Sequence, residues 1–299
     1  MSKTAFLFSG QGAQFVGMGK DLYETSRTVR DLFDFADSLT DGSVTKIAFE
    51  GPEDVLKQTI HTQPCMLTYE IALLALANEA SLKADMTAGF SLGEYGAMVA
   101  AGVLSFADAL KLMIQRARFM NEAALSQEGK MAAILGGEVD ALVEICRSVP
   151  GYVEPVNFNC PGQVVIAGDV ASVNQAIELL SADGFKCVSL SVNGAFHSRH
   201  MDGAAQKMAG VLDSVTFATP TIPLISNVSA LPEVDFKKLI PVQMASPVLW
   251  EESIRYLIGQ GITNFVEIGP GNVLSGFMKK IDRTLECNHI TKILEMAGV

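Results

Sequence analysis

The sequence predicts an α/β protein: a body built on a mostly parallel sheet, carrying a smaller β-α-β-β-α-β unit inserted into it. Three observations carry that reading. The apolar run Thr4-Ala5-Phe6-Leu7-Phe8 feeds a glycine loop, Ser9-Gly10-Gln11-Gly12, as buried parallel strands do at their carboxyl ends. Gly89-Phe90-Ser91-Leu92-Gly93 places a second glycine-flanked turn between a predicted strand and a predicted helix. Between Lys130 and Val192 the apolar periods alternate in the order of a ferredoxin-like unit, and about sixty residues is the size of one. A chain of 299 residues has room for one large core plus that insertion, divided as 1–127 with 193–299 for the core and 128–192 for the inserted subdomain.

The elements follow in order. After the first strand and its loop, apolar residues recur at helical spacing from Pro64 to about Leu82, and a helix opens directly after Glu94. Ser105-Phe106-Ala107-Asp108 has the form of a capping box: Ser105 accepts from an early backbone N–H, Asp108 reaches back, and a helix of about twenty residues starts. In the inserted unit strands are predicted at Met131–Leu135, Val153–Asn159, Val164–Ala167 and Phe185–Val192, with helices at Val139–Val149 and Val170–Ala182. A loop with His197, a proline-containing stretch from Pro220 to Pro247 and a helix from Val248 to about Gln260 come next. Phe265-Val266-Glu267-Ile268 is read as the closing strand.

Composition excludes several functions. Basic residues number 22 and acidic ones 33, a net charge of −11, so a surface tracking nucleic-acid phosphates is not predicted. An anionic ligand must be held by a few placed Arg or Lys side chains. Hydrophobic residues at 49% and charged ones at 18% specify a packed globule rather than a disordered chain. The five cysteines are odd in number, dispersed and never spaced as CxxC, which points away from disulfides and zinc and toward a reducing, cytoplasmic setting. Neither a signal peptide nor a membrane-length apolar stretch is read.

Gly89–Gly93 matches G-x-S-x-G, in which the glycines permit a sharp strand-to-helix turn that lifts Ser91 clear of the backbone, as in an α/β-hydrolase-like core. There Ser91 also stands at a helix N-terminus, where the N–H of Leu92 favours a developing oxyanion. A serine hydroxyl needs a base. Of four histidines, His61 reads as a loop residue and His289 as a surface residue of the C-terminal tail. His197 and His200 follow the strand leaving the inserted unit, and spacing alone does not choose between them. Arg116 shares an apolar helical stripe with Leu112, Met113 and Met120 and points inward, whereas Arg118 lies on a solvated face with Glu122. A buried Arg either pairs with a structural carboxylate or waits for one on a ligand, which its planar fork binds in bidentate fashion. Gln11 and Gln14 bring polarity to the end of the first strand. That loop lacks the Gly-Lys-Ser/Thr of a phosphate loop and the third glycine of a dinucleotide fingerprint, so no NAD or ATP is predicted.

Taken together, Ser9-Gly10-Gln11-Gly12-Ala13-Gln14, the elbow at 89–94, Gln115-Arg116, Asn157 to Gln163, Ala195-Phe196-His197-Ser198, Gln243 before Ser246-Pro247-Val248, and Glu267-Ile268-Gly269-Pro270-Gly271 resemble malonyl-CoA:acyl carrier protein transacylases nearly end to end. The resemblance implies Ser91 as nucleophile, His197 as its base and the backbone carbonyl of Gln243 as the group orienting that histidine. It also implies Gln11 and the N–H of Leu92 as oxyanion hole, Arg116 as binder of the malonyl carboxylate, and Asn159 facing the cleft. Phe196 resembles the phenylalanine associated with malonyl over methylmalonyl choice. Phe90 departs from the histidine more usual before the serine, which leaves the shape of the pocket open. The implied partners are malonyl-CoA and acyl carrier protein, with no cofactor, metal, nucleic acid or membrane, and a monomer is expected. A free-standing acyltransferase of polyketide synthesis is the nearest alternative. A serine thioesterase or hydrolase would add an acid to the Ser-His pair, and a silent carrier-binding module would have lost Ser91, His197 or Arg116.

Overall fold

The computed structural model describes residues 2–192 and 194–298. Its body is a five-stranded parallel sheet in the order β7-β2-β1-β8-β9, from strands β1 (Lys3–Phe8), β2 (Met86–Gly89), β7 (Leu224–Ile225), β8 (Ile262–Ile268) and β9 (Cys287–His289). The central strands are short and apolar because both faces are covered: Ala5, Leu7 and Phe8 are fully buried. Between β1 and β2 run α1 (Lys20–Thr25), α2 (Arg27–Ser38), α3 (Ser43–Glu50), α4 (Glu53–Leu56) and α5 (Thr59–Glu79). The predicted helix from Pro64 therefore starts five residues earlier, and His61 lies in its first turn rather than in a loop. Pro64 sits inside α5, a helix buried on nearly every side, so packing outweighs the lost backbone bond.

After β2 come α6 (Gly93–Ala100) and α7 (Phe106–Ser126), the latter capped as predicted by Ser105, which accepts from Asp108 N at 3.1 Å. Asp108 reaches back to the Ser105 hydroxyl (2.7 Å), not to its backbone. The four-stranded antiparallel sheet follows, with β3 (Lys130–Leu135), α8 (Val139–Ser148), β4 (Val153–Cys160), β5 (Gln163–Gly168), α9 (Val170–Ala182) and β6 (Lys186–Ser189). Its order, β4-β5-β3-β6, is that of a split β-α-β unit, and it encloses its own core around Ile134, Ile166 and Leu180. Backbone bonds from Phe158 N to Val248 O (2.9 Å) and from Val248 N to Val156 O (2.8 Å) fasten β4 to the body.

The chain returns through α10 (Asp202–Val211), β7, α11 (Phe236–Met244), α12 (Trp250–Gly259), β8, α13 (Val273–Ile281), β9 and α14 (Ile290–Ala297). The proline-containing stretch thus holds a strand and a helix. Nor is β8 the closing strand: it lies inside the sheet between β1 and β9. His289, in β9, is half-buried, with Nε2 2.7 Å from Gly269 O, and is no surface residue. Among the described residues no helix is long and apolar enough to cross a membrane.

Candidate active site

The site is built at the carboxyl ends of β1 and β2. A Cβ on Gly89 would fall 2.0 Å from Gly93 carbonyl atoms, and one on Gly93 would fall 2.4 Å from Phe8 O, so the elbow closes only with glycine at both places. Ser91 occupies the left-handed region at φ 54°, the strained posture that projects its hydroxyl out of the turn. Its Oγ lies 2.7 Å from His197 Nε2, and His197 Nδ1 lies 3.0 Å from Gln243 O. A carbonyl only accepts, so the proton sits on Nδ1 and Nε2 is left to accept from Ser91. Burial, with Arg116 nearby, lowers the His197 pKa to about 4, which keeps the imidazole neutral at physiological pH.

Arg116 is 1% exposed and faces inward as the stripe predicts. Its Nη2 donates to Ser91 Oγ at 3.1 Å and to Gln243 Oε1 at 3.0 Å, while its Nε has no partner among the described residues. The buried acid that balances it is Glu94, reached indirectly: Gln243 Nε2 donates to Glu94 Oε2 (2.5 Å) and to Ser91 O (2.7 Å). Burial pushes Glu94 up to about 7, against the pull of donors from Asn227 and Gln243 and of Arg116. The guanidinium is therefore neutralised at a distance and retains free donor capacity toward the cleft.

Two backbone donors face the same cleft. Leu92 N and Gln11 N have no hydrogen-bond acceptor among the described residues, although both residues line the cleft beside Ser91. The side chain of Gln11 is turned away, its Nε2 donating to Thr59 Oγ1 at 3.1 Å, so this residue offers its backbone N–H rather than its amide. Gln14 stays local, accepting from Gly12 N at 2.7 Å.

The cleft, about 260 Å³, runs between body and small sheet. Phe196 and Phe90 both line it. The ring of Phe90 packs edge-on against Trp250, 5.4 Å between centroids, and so forms a wall where a histidine would have offered a polar atom. Asn159 also lines it, 4% exposed, with Oδ1 unpartnered. His200 is excluded as the base: its Nε2 is 2.9 Å from Asp169 Oδ1 and 3.0 Å from Gln127 Nε2, away from Ser91.

The scan against family models matches the acyl transferase domain over residues 5–293. A malonyl CoA-acyl carrier protein transacylase of Bacillus subtilis (strain 168) is 47% identical over 293 residues, 96% of this chain and 92% of that protein. The chain belongs to this transacylase family. Solved structures agree: the malonyl CoA-acyl carrier protein transacylase of Coxiella burnetii superimposes with a TM-score of 0.95 at 33% identity, covering 99% of this chain and 96% of that one. A malonyl-transacylase in complex with a type II polyketide acyl-carrier protein gives 0.94 at 34% identity, over 99% and 100%.

Two parts of this transacylase-family site escape the sequence reading. Asn227, in the turn after β7, accepts from Ser91 N (2.7 Å) and donates to Gly89 O (2.7 Å), while its own N–H donates to Glu94 Oε1 (2.7 Å). It is fully buried and clamps the elbow. No motif marks it; the only signal is an Asn in a strand-end turn. Glu267, within the Glu-Ile-Gly-Pro-Gly string, accepts from Leu274 N (2.9 Å) and Ser275 N (2.8 Å), so its carboxylate caps the N-terminus of α13 and fixes the helix that lines the cleft. Replacing Asn227 by Ala leaves the buried Ser91 N–H and Gly89 carbonyl unpaired. At ~1–3 kcal/mol for each such group, urea unfolding is expected to register a loss of about 2–6 kcal/mol, and Asn227→Asp is destabilising too, because its carboxylate still accepts from Ser91 N–H but turns a second oxygen on the Gly89 carbonyl.

Proposed function

We propose that the protein transfers the malonyl group from malonyl-CoA to the phosphopantetheine thiol of acyl carrier protein, through a malonyl-Ser91 ester, in fatty acid synthesis. The observation that carries this is the double contact of one nucleophile: Ser91 Oγ touches both a neutral, buried histidine and the guanidinium of a buried arginine. A plain hydrolase has no use for that cation. An acyl group ending in a carboxylate does.

In the proposed first half-reaction Ser91 Oγ attacks the thioester carbonyl as its proton passes to His197 Nε2. Charge then collects on the former carbonyl oxygen, which the N–H groups of Leu92 and Gln11 stabilise. The tetrahedral centre collapses, the C–S bond breaks, and the departing CoA sulfur takes the proton from His197. In the second, the carrier thiol gives its proton to the same nitrogen and attacks the ester, and Ser91 recovers its hydrogen. Thioester and ester exchange needs no redox partner and no metal. Gln243 O serves where hydrolases use an acid, holding the imidazole tautomer without adding charge beside Arg116. Phe196 and Phe90 bound the acyl pocket, and Asn159 supplies a polar wall.

Mixing the protein with malonyl-CoA and reading intact mass tests the reading: an adduct that then moves to a phosphopantetheinylated carrier supports it. No adduct, or an adduct discharged only to water, would sink it in favour of a hydrolase. The buried histidine sets the pH profile. With His197 near 4 in the fold and ~6.5 unfolded, the unfolded chain binds the proton first. Folding stability is expected to fall as pH drops from about 6.5 to about 4. The acylation rate, measured by rapid quench, holds level down to about pH 5 and declines below about 4.

A further inference from the structure

The inserted subdomain is joined to the body by two chain crossings, and one histidine meets both. The outgoing crossing leaves α7 at Gln127 and enters β3 at Lys130, while the returning one carries Ala195-Phe196-His197-Ser198 into a 3₁₀ turn, Arg199–Met201. His200 lies in that turn and is buried. Its Nε2 stands 2.9 Å from Asp169 Oδ1, at the junction of β5 and α9 in the subdomain, and 3.0 Å from the Gln127 amide on the outgoing crossing. A carboxylate only accepts, so the proton sits on Nε2, and the amide meets it best oxygen first. Nδ1 has no partner among the described residues, so the hydrogen bonding of the ring goes into this junction. The crossings also touch here: a Cβ on Gly129 would fall 2.7 Å from Ala195 N and 3.1 Å from His200 Nδ1.

Asp169 is the N-cap residue of α9, where a carboxylate ordinarily accepts from the free N–H groups of the first turn, yet its side chain makes no cap bond. It is turned to His200 instead. The subdomain grips the same turn a second time through Tyr152. That ring stacks against His200 with 5.4 Å between centroids, its hydroxyl accepts from Arg199 N at 3.0 Å, and the Arg199 guanidinium lies 3.7 Å over its centroid. From the turn the restraint passes to the catalytic histidine. His200 N donates to Ser198 Oγ (3.3 Å), and that hydroxyl donates to Ala195 O (2.6 Å), which closes the backbone around His197. His197 sits at φ 60°, a left-handed posture that persists only where its surroundings fix it.

We propose that His200 and Asp169 are a positioning pair, whose hydrogen bond braces the inserted subdomain against the returning crossing and so keeps His197 within reach of Ser91. The inference rests on the role of His197 as base in the transferase reading above. With Nδ1 on Gln243 O, the place of Nε2 depends on where the backbone at position 197 is kept, and a shift of about 1 Å at a reacting group costs ~10²-fold in rate.

Two reagents test the pair. Malonyl-CoA in rapid quench gives the acylation rate constant, its KM and the final number of esters per chain. A fluorophosphonate reads the activation of Ser91 without any malonyl group: Oγ attacks phosphorus, the P–F bond breaks, fluoride leaves and the proton passes to His197. In His200→Ala both rate constants are expected to fall about tenfold or more, with the final ester count unchanged and the KM for malonyl-CoA within about twofold, because Arg116 lies on the body. Asp169→Ala, at a side chain 40% exposed, should do the same without opening a cavity. Asp169→Asn keeps an acceptor oxygen and should recover most of the rate, and the double Ala variant should be no slower than either single one. Wild-type rate constants on fewer reactive chains would overturn the proposal, leaving His200 a plain packing residue. Additive losses in the double variant would overturn the pairing, and a rise in KM alone would assign the brace to the cleft wall instead of His197. A wild type that reacts with the fluorophosphonate but takes no malonyl group would overturn the transferase reading, while the labelling rates still decide the pair.

Discussion

Ser91→Ala is expected to give no acyl adduct with malonyl-CoA and to transfer no malonyl group above background. The change removes one oxygen, yet that oxygen is the point where three arrangements meet: the acceptor His197 at 2.7 Å, the donor Arg116 at 3.1 Å and the unpartnered N–H groups of Leu92 and Gln11 beyond. In serine enzymes, loss of the nucleophile alone costs about as much as loss of the whole constellation, on the order of 10⁶-fold in kcat. The backbone at position 91 keeps its bonds to Asn227 and Gln243, so folding should survive, and the variant should still bind malonyl-CoA through Arg116. Intact mass gives the first readout and isothermal titration the second. An adduct on Ser91→Ala would place the nucleophile elsewhere in the cleft.

How much of this was legible in the sequence depends on whether a residue's role is local. The elbow was readable because the contact that demands Gly89 is local, its Cβ being excluded by Gly93 four residues on, although Gly93 itself is demanded by the distant Phe8 and Ser9 carbonyls. The inserted unit was readable because its strands and helices each bury one face, so periodicity survives. By contrast α5 is buried around most of its circumference, which erases the helical period, and its proline misplaced the start. Helix α11 was hidden in the same way by Pro241, inside it. The harder losses are pairings over long sequence distance. Asn227 meets Ser91 across 136 residues and Gln243 meets Glu94 across 149, and nothing in either neighbourhood records the other. Spacing left His197 and His200 equal; they separate only once Asp169 is seen to hold the second.

The resemblance supplied Gln243 as a carbonyl, and the structure adds its amide. That amide is the reason Arg116 can be buried at all. Gln243 accepts from Arg116 with Oε1 and donates to Glu94 with Nε2, so the two charges are joined through a neutral group and the guanidinium stays unsaturated. A direct Arg116–Glu94 pair would satisfy the cation internally and leave less for a ligand. Indirect compensation keeps a buried cation both tolerable and available.

Replacing Arg116 by Met tests that arrangement, because Met retains the apolar stem while deleting the charge. Malonyl transfer, as kcat/KM for malonyl-CoA, is expected to drop about 10²–10⁴-fold, the equivalent of the ~3–5 kcal/mol lost when one partner of a buried charge pair is removed. Acetyl transfer should fall far less, because an acetyl group has no carboxylate to leave unpaired. Two electrostatic signs should accompany the change. Arg116 lowers the His197 pKa, so its loss moves the acid limb of the acylation profile to higher pH. Arg116 also restrains Glu94, already pushed up to about 7 by burial, so without it Glu94 takes up a proton at neutral pH. A loss of malonyl and acetyl transfer in equal measure, with the acid limb unmoved, would mean that Arg116 holds the cleft together and does not read the substrate's charge.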